Sequence, residues 1–222
     1  MPTIALYDAC VLYPAPLRSL LMYLAISGLY QARWTDAIHE EWMRSVVRDY
    51  PDVTREKAER VRDLMNSHVE HCLVSGYEHL IPTLTLPDPD DRHVLAAAIH
   101  TGAGVIVTAN LADFPADVLD PYGVVARHPD DFLTDWIELE PATVCAAAKR
   151  QRDSIKRPAK SVDEYLKSLA RQNLPRTVAR LRAFAGLLRA GKWSLGGLSS
   201  PARQSCGDSH RICCCRAPPR SE

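Results

Sequence analysis

The chain has no long apolar run. Nothing in its 222 residues approaches the roughly 20 consecutive apolar residues that a membrane-spanning helix needs. The opening, Met1-Pro2-Thr3-Ile4-Ala5-Leu6-Tyr7-Asp8, lacks the basic region of a secretory signal and reaches an acid too early for one. A cytoplasmic location is therefore expected. No Gly-x-Ser-x-Gly elbow is present, which removes the usual basis for a Ser/His/Asp hydrolase. No internal repeat is visible. Paired cysteine spacing is also missing. Cys10, Cys72 and Cys145 lie far apart in apolar stretches, as reduced core residues do. Cys206, Cys213, Cys214 and Cys215 crowd the end of the chain, and three adjacent cysteines do not match the spaced pairs of a zinc site.

Net charge is absent too, but the zero hides an asymmetry. Residues 1–148 hold 22 Asp/Glu against 10 Lys/Arg, a net of −12. Residues 149–192 hold 13 Lys/Arg against Asp153, Asp163 and Glu164, a net of +10. An acidic body joined to a basic arm points to nucleic acid or to an acidic partner surface. The plainer alternative is a solvated helical face that balances the body.

What the chain does have is 46% apolar content, enough for one packed domain and an appendage. Thr3-Ile4-Ala5-Leu6-Tyr7 is a short β-prone apolar run that ends at Asp8. Leu17, Leu20, Leu21 and Leu24 recur with helical spacing up to Gly28, a plausible stop. Leu29 to Trp34 suggests a second strand. Thr35 or Asp36 can cap the next helix, which Tyr50-Pro51 ends, and Thr54 starts another. The apolar segment Leu80 to Leu86 is interrupted by Pro82 and leads into the acidic turn Pro87-Asp88-Pro89-Asp90-Asp91. An alanine-rich helix follows, closed by Gly102 and Gly104. Val105-Ile106-Val107-Thr108 is apolar without alternation, as a buried parallel strand is, and Tyr122 to Ala126 is a further strand candidate. Alternating strands and helices predict an α/β fold with a mainly parallel sheet. Ligands then bind beyond the carboxyl ends of the strands, where Asp8, Asn110 and Asp113 fall.

After residue 128 the pattern is helical, over 130–139, 143–156, 162–172 and 176–188. Ser161-Val162-Asp163-Glu164 is a capping box. From Gly191 the composition turns Gly/Ser/Pro/Cys/Arg-rich, unlike a folded domain. The expected organisation is a domain over 1–128, a helical and partly basic region over 129–190, and a disordered tail over 191–222.

Acids gather at four places: Asp8, the pair Glu40/Glu41, the cluster Asp88/Asp90/Asp91, and Asp113 near Asn110. Crowded carboxylates repel one another, so one site formed from them calls for a cation. Hard oxygen ligands select Mg2+ or Mn2+ over zinc. Such an ion can activate water and stabilise charge building on a phosphodiester. Each acid also has a structural explanation. Asp8 can cap a turn, Glu40 and Glu41 can be a solvated helix face, Asp88 and Asp90 can be turn and cap residues, and Asp113 can form an Asx turn beside Phe114-Pro115.

Four segments resemble the motifs of PIN-domain nucleases. Ile4-Ala5-Leu6-Tyr7-Asp8-Ala9-Cys10-Val11-Leu12 looks like their opening strand and first catalytic Asp. Trp34-Thr35-Asp36-Ala37-Ile38-His39-Glu40-Glu41-Trp42 resembles the second motif, whose Glu best matches Glu41. Asp90-Asp91-Arg92-His93-Val94-Leu95-Ala96-Ala97-Ala98 resembles the third, with Asp91 at the better offset. Val107-Thr108-Ala109-Asn110-Leu111-Ala112-Asp113-Phe114 resembles the fourth; many relatives carry Asp where this chain has Asn110. The resemblance covers roughly residues 3–128 and is strongest to VapC-type toxins of bacteria.

That resemblance implies a three-layer α/β/α domain with a C-terminal helical extension. It implies a metal-dependent endoribonuclease acting on single-stranded RNA regions, leaving a 5′-phosphate and a 3′-hydroxyl. A cognate antitoxin would hold it in check, and a homodimer is possible. Asp8, Glu41, Asp91 and Asp113 would be the catalytic and metal-binding acids. Thr108, Asn110, Asp90 and Glu40 would support them. Because an acidic site repels RNA without its ions, basic residues must supply affinity, with Arg18, Arg92 and the 149–192 arm as candidates. His39 and His93 adjoin the acids, as substrate contacts or as satisfied structural groups.

Three alternatives compete. A phosphohydrolase with an Asp nucleophile would want a second Asp where Cys10 stands. A non-toxin RNA-processing nuclease would share the site. A binding module would keep the fold with a vestigial site.

Overall fold

The structure is a computed structural model and describes residues 3–189. The expected tail, with Cys206, Cys213, Cys214 and Cys215, lies outside the described residues.

Strand β1 (Ile4–Tyr7) is followed by a short helix, α1 (Ala9–Leu12), and by α2 (Ala15–Ser27). Gly28, at φ +79°, ends α2 in the left-handed conformation that favours glycine. Strand β2 (Gln31–Thr35) begins after that turn. Thr35 caps α3 (Asp36–Asp49) by accepting the Ile38 N–H at 3.1 Å, and Thr54 caps α4 (Arg55–His68) by accepting the Lys57 N–H. A two-residue strand, β3 (Leu73–Val74), comes next, then 3-10 turns over Glu78–Thr83 and Pro89–Asp91. Helix α5 (Arg92–Thr101) leads to β4 (Val105–Val107), a 3-10 turn over Leu111–Asp113, α6 (Ala116–Leu119), a last 3-10 turn over Asp120–Tyr122 and β5 (Val125–Arg127).

All five strands are parallel, in the order β3-β2-β1-β4-β5. The chain winds outward from β1 through β2 to β3, then returns to β1's other side for β4 and β5. The direction of winding reverses between β1 and β4. At such a point the connections leave the two carboxyl ends in opposite directions and open a crevice between them. β1 delivers Asp8 there, and β4 delivers Thr108. The expected parallel α/β sheet is what the chain forms.

Helices α7 (Pro129–Leu139), α8 (Pro141–Ser154), α9 (Val162–Ala170), α10 (Pro175–Ala183) and α11 (Ala185–Arg189) complete the described chain. They share the core of the sheet region. α8 packs along α2, α10 along α7, and α11 against α8. Phe132 and Trp136 of α7 meet the ring of Tyr30, at centroid distances of 5.0 and 5.3 Å. Gln151 of α8 donates a 2.8 Å hydrogen bond to the Pro16 carbonyl in α2 and accepts one from the Tyr165 hydroxyl at 2.6 Å. Asp130, buried at the start of α7, accepts the backbone N–H groups of Arg176 and Thr177 at the start of α10, at 2.9 and 2.7 Å. A carboxylate there satisfies donors that no carbonyl of α10 can reach.

Two local expectations change. The segment expected as one helix over 176–188 is broken at Phe184, because the apolar repeat runs on across the break and periodicity alone does not register it. The last strand starts at Val125, since Asp120–Tyr122 forms a 3-10 turn closed by left-handed Gly123. The capping box at Ser161 and Glu164 is present in both directions.

Candidate active site

Asp8 is the N-cap of α1 and is 5% exposed. Its backbone N–H donates to the Val107 carbonyl at 3.1 Å, which locks the first residue after β1 to the last of β4. Its carboxylate accepts from the Ala9 N–H at 2.5 Å, from the Thr108 hydroxyl at 2.7 Å and from the Cys10 thiol at 2.9 Å. Thr108 also accepts the Asn110 N–H at 3.0 Å, and Cys10 accepts the Ala109 N–H at 3.2 Å. The two strand ends are thus laced together around one buried carboxylate. Burial and the neighbouring Asp8 push the Cys10 thiol up to about 12, so it stays protonated and donates.

The other acids converge on Asp91. Its carboxyl is pushed up to about 7, first by burial and then by the charges of Asp8, Asp113, Asp88 and Glu41. Carboxylate oxygens of Asp88, Asp91 and Asp113 all lie within 4.8 Å of one another. The Pro89–Asp91 turn explains how Asp88 joins. Side chains at i and i+3 of a 3-10 turn eclipse, so Asp88 and Asp91 fall on one side and Asp90 does not. Asp88 also accepts the Asp90 N–H at 2.9 Å, so it is a turn residue and a member of the cluster at once. The sequence places Asp88 in an acidic cluster but does not single it out as a metal-binding acid; its three-residue offset from Asp91 is the signal that could have done so.

Asp113 ends the 3-10 turn after β4, where its carboxylate accepts the Asn110 side-chain amide. Glu41, on α3, places Oε1 2.6 Å from Nε2 of His93 on α5. That approach lacks hydrogen-bond geometry.

Two expected supporting residues face elsewhere. Glu40 accepts from Nη1 and Nη2 of Arg55 on α4, at 2.7 and 2.6 Å, and this pairing holds its carboxyl below the usual range. It braces α3 against α4, where the expectation had it support the site. Asp90 is exposed on the far side of its turn.

Arg18 is the clearest correction. Expected as an RNA contact, it is buried, donates to the Leu12 and Tyr13 carbonyls at 2.5 and 3.3 Å, and lies over the Trp42 ring at 4.7 Å. It fastens the end of α1 to α3 and leaves no surface charge. Arg92 remains beside the cluster, half-buried, its Nε donating to the Pro89 carbonyl at 2.8 Å. His39 is fully buried. Its Nδ1 accepts from Trp42 at 2.9 Å and its Nε2 faces the Asn66 carbonyl at 3.0 Å, which fits the neutral tautomer with hydrogen on Nε2. It is a satisfied core group. A cleft of about 560 Å³, lined by Cys10, Tyr13, Glu41, Trp42, Arg44 and Arg48 among others, opens beside the acids.

The donor set is all carboxylate oxygen, with half-buried Asp91 held toward its neutral form by burial and by the charges of the others. Those are the conditions that a hard divalent cation relieves.

Comparison with known proteins fits this geometry. The PIN domain family model matches residues 4–112, the span from β1 through the turn that carries Asp113's neighbours. The chain carries a PIN domain. A second model, described as the VapC50 C-terminal domain, matches residues 129–183, which are α7 to α10. Over 107 residues the chain is 40% identical to a protein of Mycobacterium tuberculosis (strain ATCC 25618 / H37Rv) called "Putative ribonuclease VapC50". That match takes in 48% of this chain and 62% of the relative. No solved structure matches. Together the two models place a PIN domain and a VapC50-type C-terminal region in one chain, and the all-parallel sheet is the PIN fold.

Proposed function

We propose that the chain is a metal-dependent endoribonuclease of the VapC type, cutting phosphodiester bonds in single-stranded RNA regions. One observation carries the reading: at the switch point of a parallel sheet the charges of Asp8, Glu41, Asp88 and Asp113 bear on Asp91, and Asp88, Asp91 and Asp113 bring their carboxylate oxygens together. A merely solvated acidic surface would not hold Asp8 buried with three donors or press Asp91 toward neutrality.

In this reading Asp88, Asp91 and Asp113 hold Mg2+ or Mn2+ with Asp8, and Glu41 completes the acidic wall. The bound ion supplies an acidified water and offsets charge developing on the phosphodiester. Thr108 fixes the rotamer of Asp8, and the Asn110 amide fixes that of Asp113. Asn110 thereby keeps an oxygen-rich corner with one fewer negative charge than an Asp would give. In this reading Arg92, whose Nε donates to the Pro89 carbonyl, meets a phosphate next to the cluster. The likeness to VapC-type toxins extends the proposal to a cytoplasmic toxin that is restrained by a cognate antitoxin and pairs as a homodimer.

The test uses the purified chain with single-stranded RNA and Mn2+ or Mg2+. Cleavage should require the ion and fall by at least about 100-fold in Asp91→Asn and Asp8→Asn, as loss of transition-state charge stabilisation does. A folded Asp91→Asn protein with undiminished cleavage would sink the assignment.

A further inference from the structure

The basic arm of the sequence is not uniformly available, because the fold pairs part of it internally. Arg176 and Arg180 of α10 bind Asp131 and Glu138 of α7. Lys149 and Arg152 of α8 share Asp153, and Arg152 also donates to the Leu188 carbonyl. Glu164 is occupied by the backbone and hydroxyl of Ser161 in the capping box. Of the arm's described cations left without a salt bridge, Lys167, Arg171, Arg182 and Arg189 are spread along α9 to α11, and the others lie close together in sequence. Among the described residues, Arg150, Lys156, Arg157 and Lys160 form no salt bridge, and Asp153, already shared by two cations, is the only acid among them in sequence. Lys156 and Arg157 are exposed on a turn that an isolated bridge between Lys156 and Ala159 pins, and Lys160 follows at its foot. Arg150 is exposed over the Tyr23 ring, at 5.8 Å.

The position of this turn gives the charge a direction. Gln151, in the last turn of α8, is bonded to the Pro16 carbonyl in the first turn of α2. That turn lies eight residues beyond Asp8, just past α1, at the carboxyl edge of the sheet. α8 therefore delivers the Lys156–Lys160 turn to the edge where the acids stand. An acidic centre with cations set to one side is the arrangement a polyanion needs: ions neutralise the reacting phosphate, and side chains hold its neighbours.

We infer that the turn carrying Lys156, Arg157 and Lys160, together with Arg150, is a phosphate-backbone contact for single-stranded RNA, so that the C-terminal helices grip the substrate that the PIN domain cuts. The inference rests on the proposed ribonuclease reading for the identity of the polyanion. It assigns the turn affinity without base selectivity, because point cations on an exposed turn contact phosphate and carry no base-edge pattern.

The test measures binding apart from cleavage. Fluorescently labelled single-stranded RNA is titrated into the full chain without divalent ion, across a series of salt concentrations. Each phosphate contact on a single strand adds about 0.7 to the magnitude of the log–log salt slope. Lys156→Gln/Arg157→Gln/Lys160→Gln should therefore lower the slope by about 2 and weaken binding by about ten-fold or more, equally for sequences of different base composition. Lys167→Gln/Arg171→Gln/Arg182→Gln, an equal loss of charge elsewhere on the C-terminal helices, should do markedly less. Equal weakening by both triples overturns a localised contact. Unchanged affinity and slope in the first triple, as expected of a surface reserved for a protein partner, also overturns it. The nuclease reading is decided separately, by ion-dependent cleavage in the Asp91→Asn comparison.

Discussion

The Thr108 hydroxyl donates a 2.7 Å hydrogen bond to Oδ2 of Asp8, across the gap between the ends of β1 and β4. Asp8 is buried, so each of its donors matters more than a surface partner would. Thr108→Val keeps the shape and removes the donor. It should cost about 1.5–3 kcal/mol of stability, the range for a hydrogen bond to a charged group. It should also lower ion-dependent cleavage, and Thr108→Ser should restore most of both. Denaturant titration and an RNA cleavage assay on the three proteins measure this. Equal stability of the valine variant and the parent would remove the claimed coupling of the two strand ends.

Asp91 gives the ion-free protein a specific pH dependence. Its folded carboxyl is raised from 3.8 to about 7. Between those values the folded state binds the proton that the unfolded state has released, so stability falls as pH rises through this window and levels off above about 7. In urea melts with chelator, Asp91→Asn should flatten that descent. Added Mn2+ should stabilise the parent strongly at pH 8, weakly at pH 5, and Asp91→Asn little at either pH. A parent whose ion-free stability climbs steadily from pH 4 to 7 in step with the variant contradicts the arrangement.

His39 contributes in the opposite sense. Burial lowers its pKa below 6.5 in the fold. The unfolded chain then takes up a proton first on acidification, so its contribution is complete above about 6.5 and is lost as pH falls below that. His39→Gln retains hydrogen-bonding groups but does not titrate. Its stability should be lower than the parent's at pH 7.5, with the gap narrowing at pH 5. A gap that widens at pH 5 would mean the ring is charged in the fold.

Arg18 should behave as a structural residue. Arg18→Met strips the Leu12 and Tyr13 carbonyls of their donor and should cost about 1–3 kcal/mol. The salt slope of RNA binding should not move. A reduced slope in a fully folded Arg18→Met protein would return the residue to the RNA surface.

Much of this was legible in local sequence. Thr35, Thr54 and Ser161 cap helices because their side-chain oxygens meet N–H groups of the next turn, a contact that needs no tertiary information. Val105–Val107 is an interior strand with Ile106 and Val107 buried, as its unalternating apolar run required. What was not legible depends on partners distant in the chain. Arg18 reads as a surface cation until α1 and α3 close over it. Glu40 and Glu41 are equivalent on a helix until Arg55 takes one and α5 faces the other. Asp88 looks like punctuation between prolines because only a folded 3-10 turn brings it into line with Asp91. β3 is two residues long, too short for any pattern.

The ring of Tyr30, held against Phe132 and Trp136, also bears on where the molecule can be divided. The span that matches the PIN family stops before α7, but the aromatic cover of its sheet comes from beyond that point. A chain cut near residue 128 would keep every candidate catalytic acid and present a raw apolar flank to water. The motif-bearing portion and the smallest unit able to fold therefore differ: the chemistry is written in the first half of the chain, and cooperative melting should embrace both.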